Sequence, residues 1–230
     1  MTLSIKHAFA SIILMSSFSS PSAGGSIDDA IIAVDRGDYT TALLRVRPLA
    51  EQHNARAQFV LGTMYANGEG VRQDNAAAMR WYRLSAEQGY ALAQTNLGRM
   101  YFNGEGVPQN FAEAIKWWLK AANQGFAHAR HDIGHMYDEG IGVPQDYAEA
   151  AKWYRLAADQ GDDYAQDNLG VLYAQGHGVT QDYVRAYMWF NLAAMAGNQN
   201  AVTNRDHAAR LMTSAQIAEA QALAREWNPK

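Results

Sequence analysis

The sequence predicts an all-α protein, a solenoid of stacked antiparallel helix pairs that repeats every 36 residues, and three observations carry that expectation. Trp81, Trp117, Trp153 and Trp189 lie 36 residues apart without an insertion. Gly62, Gly98, Gly134 and Gly170 keep the same period, as do Tyr65, Tyr101, Tyr137 and Tyr173. Between these columns the apolar residues recur at helical spacing. Four tandem copies run over 57–92, 93–128, 129–164 and 165–200, and eleven of the 36 columns are identical in all four.

Each copy contains two helical patterns. In the first copy Ala57, Leu61, Met64 and Tyr65 fall at i, i+4, i+7 and i+8 and share one face, which defines helix A. Ala78, Trp81, Tyr82 and Ser85 form a second stripe, with Arg80, Arg83 and Glu87 on the opposite side, which defines helix B. Gly68 and Gly70, with their equivalents, break the chain between the two helices. Asp74, Asn110, Asp146 and Asp182 stand where N-caps of helix B belong, and Glu113 and Glu149 follow three residues later as capping boxes require. Gly89 and its equivalents end helix B.

Gly62 and its equivalents fall inside helix A, where glycine costs about 1 kcal/mol relative to alanine. A glycine repeated there admits something large, either the repeated tryptophan or its aromatic neighbour at 82, 118, 154 and 190. Both aromatic columns read as core.

The ends are altered copies. A short helix over Ile27 to Arg36 precedes a helix B-like segment at 38–53, in which Arg45 replaces the tryptophan. A fifth helix A keeps Ala201 but carries Arg205 and Asp206 in the apolar and glycine columns. A final helix starts at Thr213, with Gln216 completing a capping box, and reaches Trp227. Polar terminal repeats keep a stack of this kind soluble. The domains are therefore 1–24, an N-terminal cap at 25–56, the four repeats at 57–200 and a C-terminal cap at 201–230.

Residues 1–24 have the order of a secretory signal peptide: Lys6, the apolar run Ala8 to Phe18, then small residues from Ser19 to Gly24. The run is shorter than the roughly 20 residues of a membrane-spanning helix. Cleavage is expected between Ser22 and Gly25, giving a periplasmic or secreted protein. The chain has no cysteine, which removes disulfides, thiolate metal sites, cysteine nucleophiles and a cysteine-linked lipid anchor. With a net charge of -4 and no basic clusters among its aromatics, it lacks the footprint of a nucleic-acid binder.

The pattern from Ala57 to Gly89, Ala-x-x-x-Leu-Gly-x-x-Tyr-x-x-Gly-x-Gly-Val-x-x-Asp followed by Ala-x-x-Trp-Tyr-x-x-Ser-Ala and Gly, resembles the Sel-one-like repeat, a relative of the tetratricopeptide repeat. The resemblance covers 57–200 and implies a right-handed solenoid with A helices on the concave side and B helices outside. It also implies an adaptor that binds other proteins. Nothing is carried over from the cysteine-rich branch of the family, whose disulfides this chain lacks.

The same resemblance assigns the columns that vary on helix A to the concave surface. One row is Phe59, Thr95, His131 and Asp167; a second is Thr63, Arg99, His135 and Val171; a third is Ala66, Phe102, Asp138 and Ala174. Such a surface suits a peptide or protein segment; no cofactor is expected, and a monomer is expected although the sequence does not fix the oligomeric state. The run from His131 to His135 superficially matches a two-histidine helical zinc motif, but Ile133 and Gly134 are the repeat's own columns and no third ligand is identifiable, so no metal is expected. The competing function is an envelope hydrolase using His131 or His135 with Asp132 or Asp138, or a glycan-binding protein using the aromatics. No Gly-x-Ser-x-Gly elbow or phosphate-cradling loop is present.

Overall fold

The computed structural model describes residues 26–229, so the N-terminal segment read as a signal peptide lies outside the described residues. Among the described residues there are twelve α-helices and no strand, the all-α solenoid of helix pairs that the 36-residue period predicts. Two compact units are distinguished, one ending at Tyr90 and one starting at Ala91.

The first unit contains α1 (Ile27–Asp35), α2 (Tyr39–Glu51), α3 (Ala55–Asn67) and α4 (Asn75–Glu87). Ala42, Ala50, Ala57, Ala78 and Ala86 are buried, and these small side chains let neighbouring helices approach closely around Val46, Leu61 and Met64. Arg45, in the tryptophan column of the capping hairpin, is exposed and pairs with Asp29 at 3.4 Å. Gln58 is buried on α3. It donates to the Ala50 carbonyl of α2 at 3.1 Å and accepts from Gln88 at 2.7 Å, so a polar group inside the stack is satisfied by both neighbours.

The second unit contains α5 (Ala91–Asn103), α6 (Phe111–Asn123), α7 (Ala127–Glu139), α8 (Tyr147–Ala158), α9 (Asp163–Gln175), α10 (Tyr183–Met195), α11 (Gln199–Ala209) and α12 (Ser214–Glu226). Here α5, α7, α9 and α11 are A helices, and α6, α8 and α10 are B helices. The A helices α5, α7 and α9 each pack on the B helix that follows, while α11 and α12 both pack on α10, where Trp227 meets Trp189 edge to face at 6.3 Å.

The glycine inside helix A has one explanation in every copy. A Cβ at Gly134 would stand 2.7 Å from Cδ1 of Tyr154, and at Gly98 2.5 Å from the Trp118 ring. The same holds for Gly62 against Tyr82 and Gly170 against Phe190. The ring that fills the gap is thus the aromatic neighbour, not the invariant tryptophan. The tryptophan, one residue earlier, is turned about 100° from that ring on helix B: Trp117 and Trp189 are buried, Trp81 and Trp153 half-buried.

The loops close by a repeated set of bonds. The invariant glutamine donates its side-chain amide to a carbonyl in the last turn of helix A, Gln73 to Ala66, Gln109 to Phe102, Gln145 to Asp138 and Gln181 to Ala174, at 2.7–2.9 Å. The N–H of each N-cap residue reaches the carbonyl of the invariant tyrosine, as Asp146 does to Tyr137 at 2.9 Å. Gly142, at φ +71°, lies where a Cβ would collide with Phe111 of the preceding hairpin, so this loop position needs both the left-handed conformation and the missing side chain.

Asp74, Asn110, Asp146 and Asp182 cap helix B as expected. The capping boxes at Glu113 and Glu149 do not form. The N–H groups of Asn110 and Asp146 are already bonded to the Tyr101 and Tyr137 carbonyls, and the two carboxylates pair with Lys116 and Lys152, one turn on, instead. The box at Thr213 and Gln216 does form. Gly89 is the left-handed residue after α4, its N–H on the Ala86 carbonyl and that of Tyr90 on Ser85, a Schellman arrangement. In the same column of the capping hairpin stands His53, a non-glycine residue at φ 64°.

Candidate functional site

The candidate residues lie on A helices, whose apolar columns anchor one side of each helix and leave the variable columns on the other. In the first unit Phe59 is half-buried and its ring contacts Tyr82 at 5.7 Å and Tyr90 at 5.3 Å. Thr63 is buried. Its hydroxyl donates to the Phe59 carbonyl and accepts from the Tyr82 hydroxyl, both at 3.1 Å, so it is occupied within the fold.

In the second unit α5 carries Thr95, Arg99 and Phe102, all half-buried. The Thr95 hydroxyl donates to the Ala91 carbonyl, and its own carbonyl accepts from Trp118 Nε1 at 3.0 Å. Arg99 donates from one terminal nitrogen to Asn96 at 3.3 Å, while its Nε is buried without a partner. Phe102 packs against Phe111 at 5.4 Å and Trp118 at 5.5 Å.

On α7, His131 sits between the rings of Tyr154 at 5.7 Å and Tyr164 at 6.1 Å. Its Nδ1 is 3.3 Å from Asp132, and its Nε2 is 3.3 Å from the side-chain amide of Asn168 on α9. The tautomer protonated on Nδ1 satisfies both neighbours, since it donates to the carboxylate and accepts from the amide. The Tyr154 hydroxyl, on the next helix, donates to Asp138 at 3.1 Å. Asp132, His131 and Asn168 are thus linked in one hydrogen-bonded set, and Tyr154 and Asp138 in another.

Burial pushes the Asp138 carboxyl above the usual carboxylate range and Glu139 adds to this, while the Tyr154 bond and the nearby His135 and His177 pull it down. Burial likewise holds the Tyr154 phenol well above its ordinary value, reinforced by the Asp138 charge. Asp167 on α9 is buried, accepts from Asn204 of α11 at 2.9 Å, and is also raised by burial. His135 and Asp138 are half-buried, one turn apart on α7.

Sequence reasoning did not identify the partners. Asn168 and Asn204 each reach back 37 residues, to His131 and Asp167. Their signal was a column of amides and a carboxylate at 96, 132, 168 and 204, one step after the first variable row. A second pair, His128 Nδ1 and Asp162, lies at 2.6 Å between α7 and the N-cap of α9. Burial alone would raise the Asp162 carboxyl. The bonds from His128 and the Ala165 N–H outweigh it and hold the carboxyl low, while the Asp162 bond raises His128.

Among the described residues no three His, Asp or Glu side chains are arranged to hold a metal ion, and no helix is long and apolar enough to cross a membrane. Shallow hollows beside Tyr65 and Tyr173 are lined mainly by repeated loop columns such as Gln73, Asp74, Gln181 and Asp182, which serve hairpin geometry.

The Sel1 repeat model matches residues 55–90, 91–126, 127–162 and 163–198. Among solved structures, a Sel1 repeat protein from Oxalobacter formigenes is 33% identical over 86% of this chain and 85% of its own, with a TM-score of 0.70. A protective antigen of uropathogenic Escherichia coli strains displaying an SLR fold is 46% identical over 69% of this chain, with a TM-score of 0.67. The match covers 34% of the antigen, so this chain spans about a third of its length. An immunity protein from Pseudomonas aeruginosa, 17% identical over 90% of this chain and 88% of its own, shares the fold at a TM-score of 0.54. No curated protein matches the chain.

Proposed function

The chain belongs to the Sel1-repeat family, and on that premise we propose that it is a non-enzymatic interaction module of the bacterial cell envelope or exterior, receiving a peptide segment of a partner protein on its A-helix face. Sel1-repeat proteins generally serve as scaffolds for protein–protein interaction. We take the A face as the concave one, as in related stacks of helical hairpins, because curvature gives a solenoid its recessed surface.

The observation that carries this reading is the division of labour between columns. The repeated residues are consumed in holding the hairpin, whereas Arg99, Phe102, His131, His135 and Asp138 vary from copy to copy and stay partly open on α5 and α7. They combine a guanidinium, an aromatic ring and hydrogen-bonding groups, the residue types that anchor protein interfaces. A hydrolytic use of His131 is disfavoured by geometry. With Nδ1 on Asp132, a general base would act through Nε2, and Asn168 occupies that nitrogen.

Photocrosslinking from position 135 in the native cell would capture the partner. Arg99→Ala and Phe102→Ala should each weaken the captured complex by roughly ten- to a hundredfold, the effect of losing an anchor worth about 1–3 kcal/mol. Lys116→Ala on the exposed side of α6 should leave affinity unchanged. Circular dichroism monitors the fold, since Phe102 also packs against Phe111 and Trp118. Wild-type affinity in both A-face variants would refute the proposal. Export is tested by N-terminal sequencing: envelope protein beginning between Ala23 and Ile27 supports it, and intact Met1 in soluble cytoplasm overturns it.

A further inference from the structure

We propose that the A face of the second unit selects an extended peptide segment bearing a carboxylate side chain and, roughly three residues away, a cationic one, the carboxylate seated on Arg99 and the cation on Asp138. The inference rests on the A-face reading above and assigns the partner's chemistry.

The charges of this unit differ in how they are satisfied. Lys116, Lys152, Arg185 and Arg205 each pair with a carboxylate close by in the chain, and Lys120 and Arg155 lie over aromatic rings. Arg99 does neither. It is half-buried, it has no carboxylate within ion-pair reach among the described residues, and its side-chain bonding is one 3.3 Å contact to a neutral amide. Its Nε is buried and unpartnered. A guanidinium presents five donors in a planar fork that matches a carboxylate, and a buried donor without an acceptor is costly to leave so. The arrangement calls for an incoming anion.

Asp138 is the complementary case on the next A helix. One of its oxygens accepts the Tyr154 hydroxyl, and no lysine or arginine is within ion-pair reach among the described residues. The charges that bear on it are Glu139, His135 and His177. Burial pushes this half-buried carboxylate toward its neutral form, and Asp167 on α9 repeats the theme, raised by burial and with an amide as its side-chain donor. Along the helices the face thus passes from an unpaired cation to unpaired carboxylates. Side chains bridge successive A helices directly, Asn168 to His131 and Asn204 to Asp167, a reach that corresponds to axes roughly 10 Å apart, which an extended chain covers in about three residues.

The test uses the purified chain and fluorescein-labelled nine-residue peptides differing only in two charged positions. Fluorescence anisotropy should show the Glu-x-x-Lys peptide, in either chain direction, binding at least tenfold tighter than Glu-x-x-Glu, Lys-x-x-Lys or a peptide with Glu and Lys adjacent. Arg99→Gln should reduce that preference to under threefold, and Arg99→Glu should make Lys-x-x-Lys the preferred peptide. Asp138→Asn, which still accepts from Tyr154, should abolish discrimination between Glu-x-x-Lys and Glu-x-x-Glu. Equal affinity for all peptides, binding of none, or an unchanged order in Arg99→Glu would overturn the proposal. A crosslinked partner weakened by Phe102→Ala but indifferent to Arg99→Glu and Asp138→Asn would overturn it while sparing the A-face reading. Indifference to all three would overturn both.

Discussion

Replacing Gly134 by valine tests the central packing device of the repeat. The added Cβ would stand 2.7 and 2.8 Å from two carbons of the Tyr154 ring and 3.2 Å from a third, well inside van der Waals contact. The ring has no simple retreat, because Tyr154 is fully buried and its hydroxyl is tied to Asp138. Overpacking of this kind costs about 1–3 kcal/mol, and the two γ-methyls of valine enlarge the clash. Helix propensity works the other way, since valine is a few tenths of a kcal/mol better than glycine. The expected net loss is about 2–4 kcal/mol, or a fall of about 4–16 °C in the thermal midpoint for a chain of this size. Thermal unfolding followed at 222 nm measures it, with Lys152→Val on the exposed side of α8 as control. In the Tyr154→Leu background, which withdraws the ring edge, the cost of valine should shrink by at least about 1 kcal/mol. A midpoint no lower than the control's, or no coupling in the double variant, would refute the packing argument.

The His128 and Asp162 pair predicts a pH-dependent stability. The folded protein holds the His128 proton more tightly than the unfolded chain does, so this contribution is complete below the ordinary value of 6.5 and is lost as pH rises through the raised folded value. The depressed Asp162 carboxyl contributes above its ordinary value of 3.8 and is lost as pH falls through the lowered one. His128→Asn should therefore lower the thermal midpoint more at about pH 5.5 than at about pH 8.5, and an equal fall at both would count against the pair. His53→Gly should stabilise the protein by about 0.5–1 kcal/mol in urea unfolding, because it relieves a side chain held at φ 64°. Asp146→Ala should cost about 1 kcal/mol by leaving the Ala148 and Glu149 N–H groups uncapped, whereas Asp146→Asn should cost less than half of that.

The architecture was legible because identical physical demands recur at a fixed interval. One glycine in a helix is ambiguous, but Gly62, Gly98, Gly134 and Gly170 state the same requirement four times. Which ring met them was not legible, since Trp81 and Tyr82 are adjacent and both belong to helix B; the rotation of that helix against α3 decides for Tyr82. The candidate face was legible in composition and less so in depth. The family resemblance places Thr63 and Asp167 on it, yet both are buried and already bonded, to Tyr82 and Asn204. Those bonds depend on how far a side chain stretches toward the next helix, which spacing does not encode. The failed capping boxes teach the same lesson locally. Asn110 and Glu113 have the right separation, but the Asn110 N–H is bonded to the Tyr101 carbonyl and Lys116 pairs with the free carboxylate.

The invariant glutamine has a consequence beyond stability. In every copy it donates to a carbonyl of its own hairpin, and the cap N–H does likewise, so each turn is sealed with groups that belong to one 36-residue unit. A duplication or excision of whole units opens no turn and strands no donor there. The chain can change the length of its helical stack by in-register recombination while each turn remains intact, so the number of copies, rather than the shape of any one, becomes the quantity free to vary.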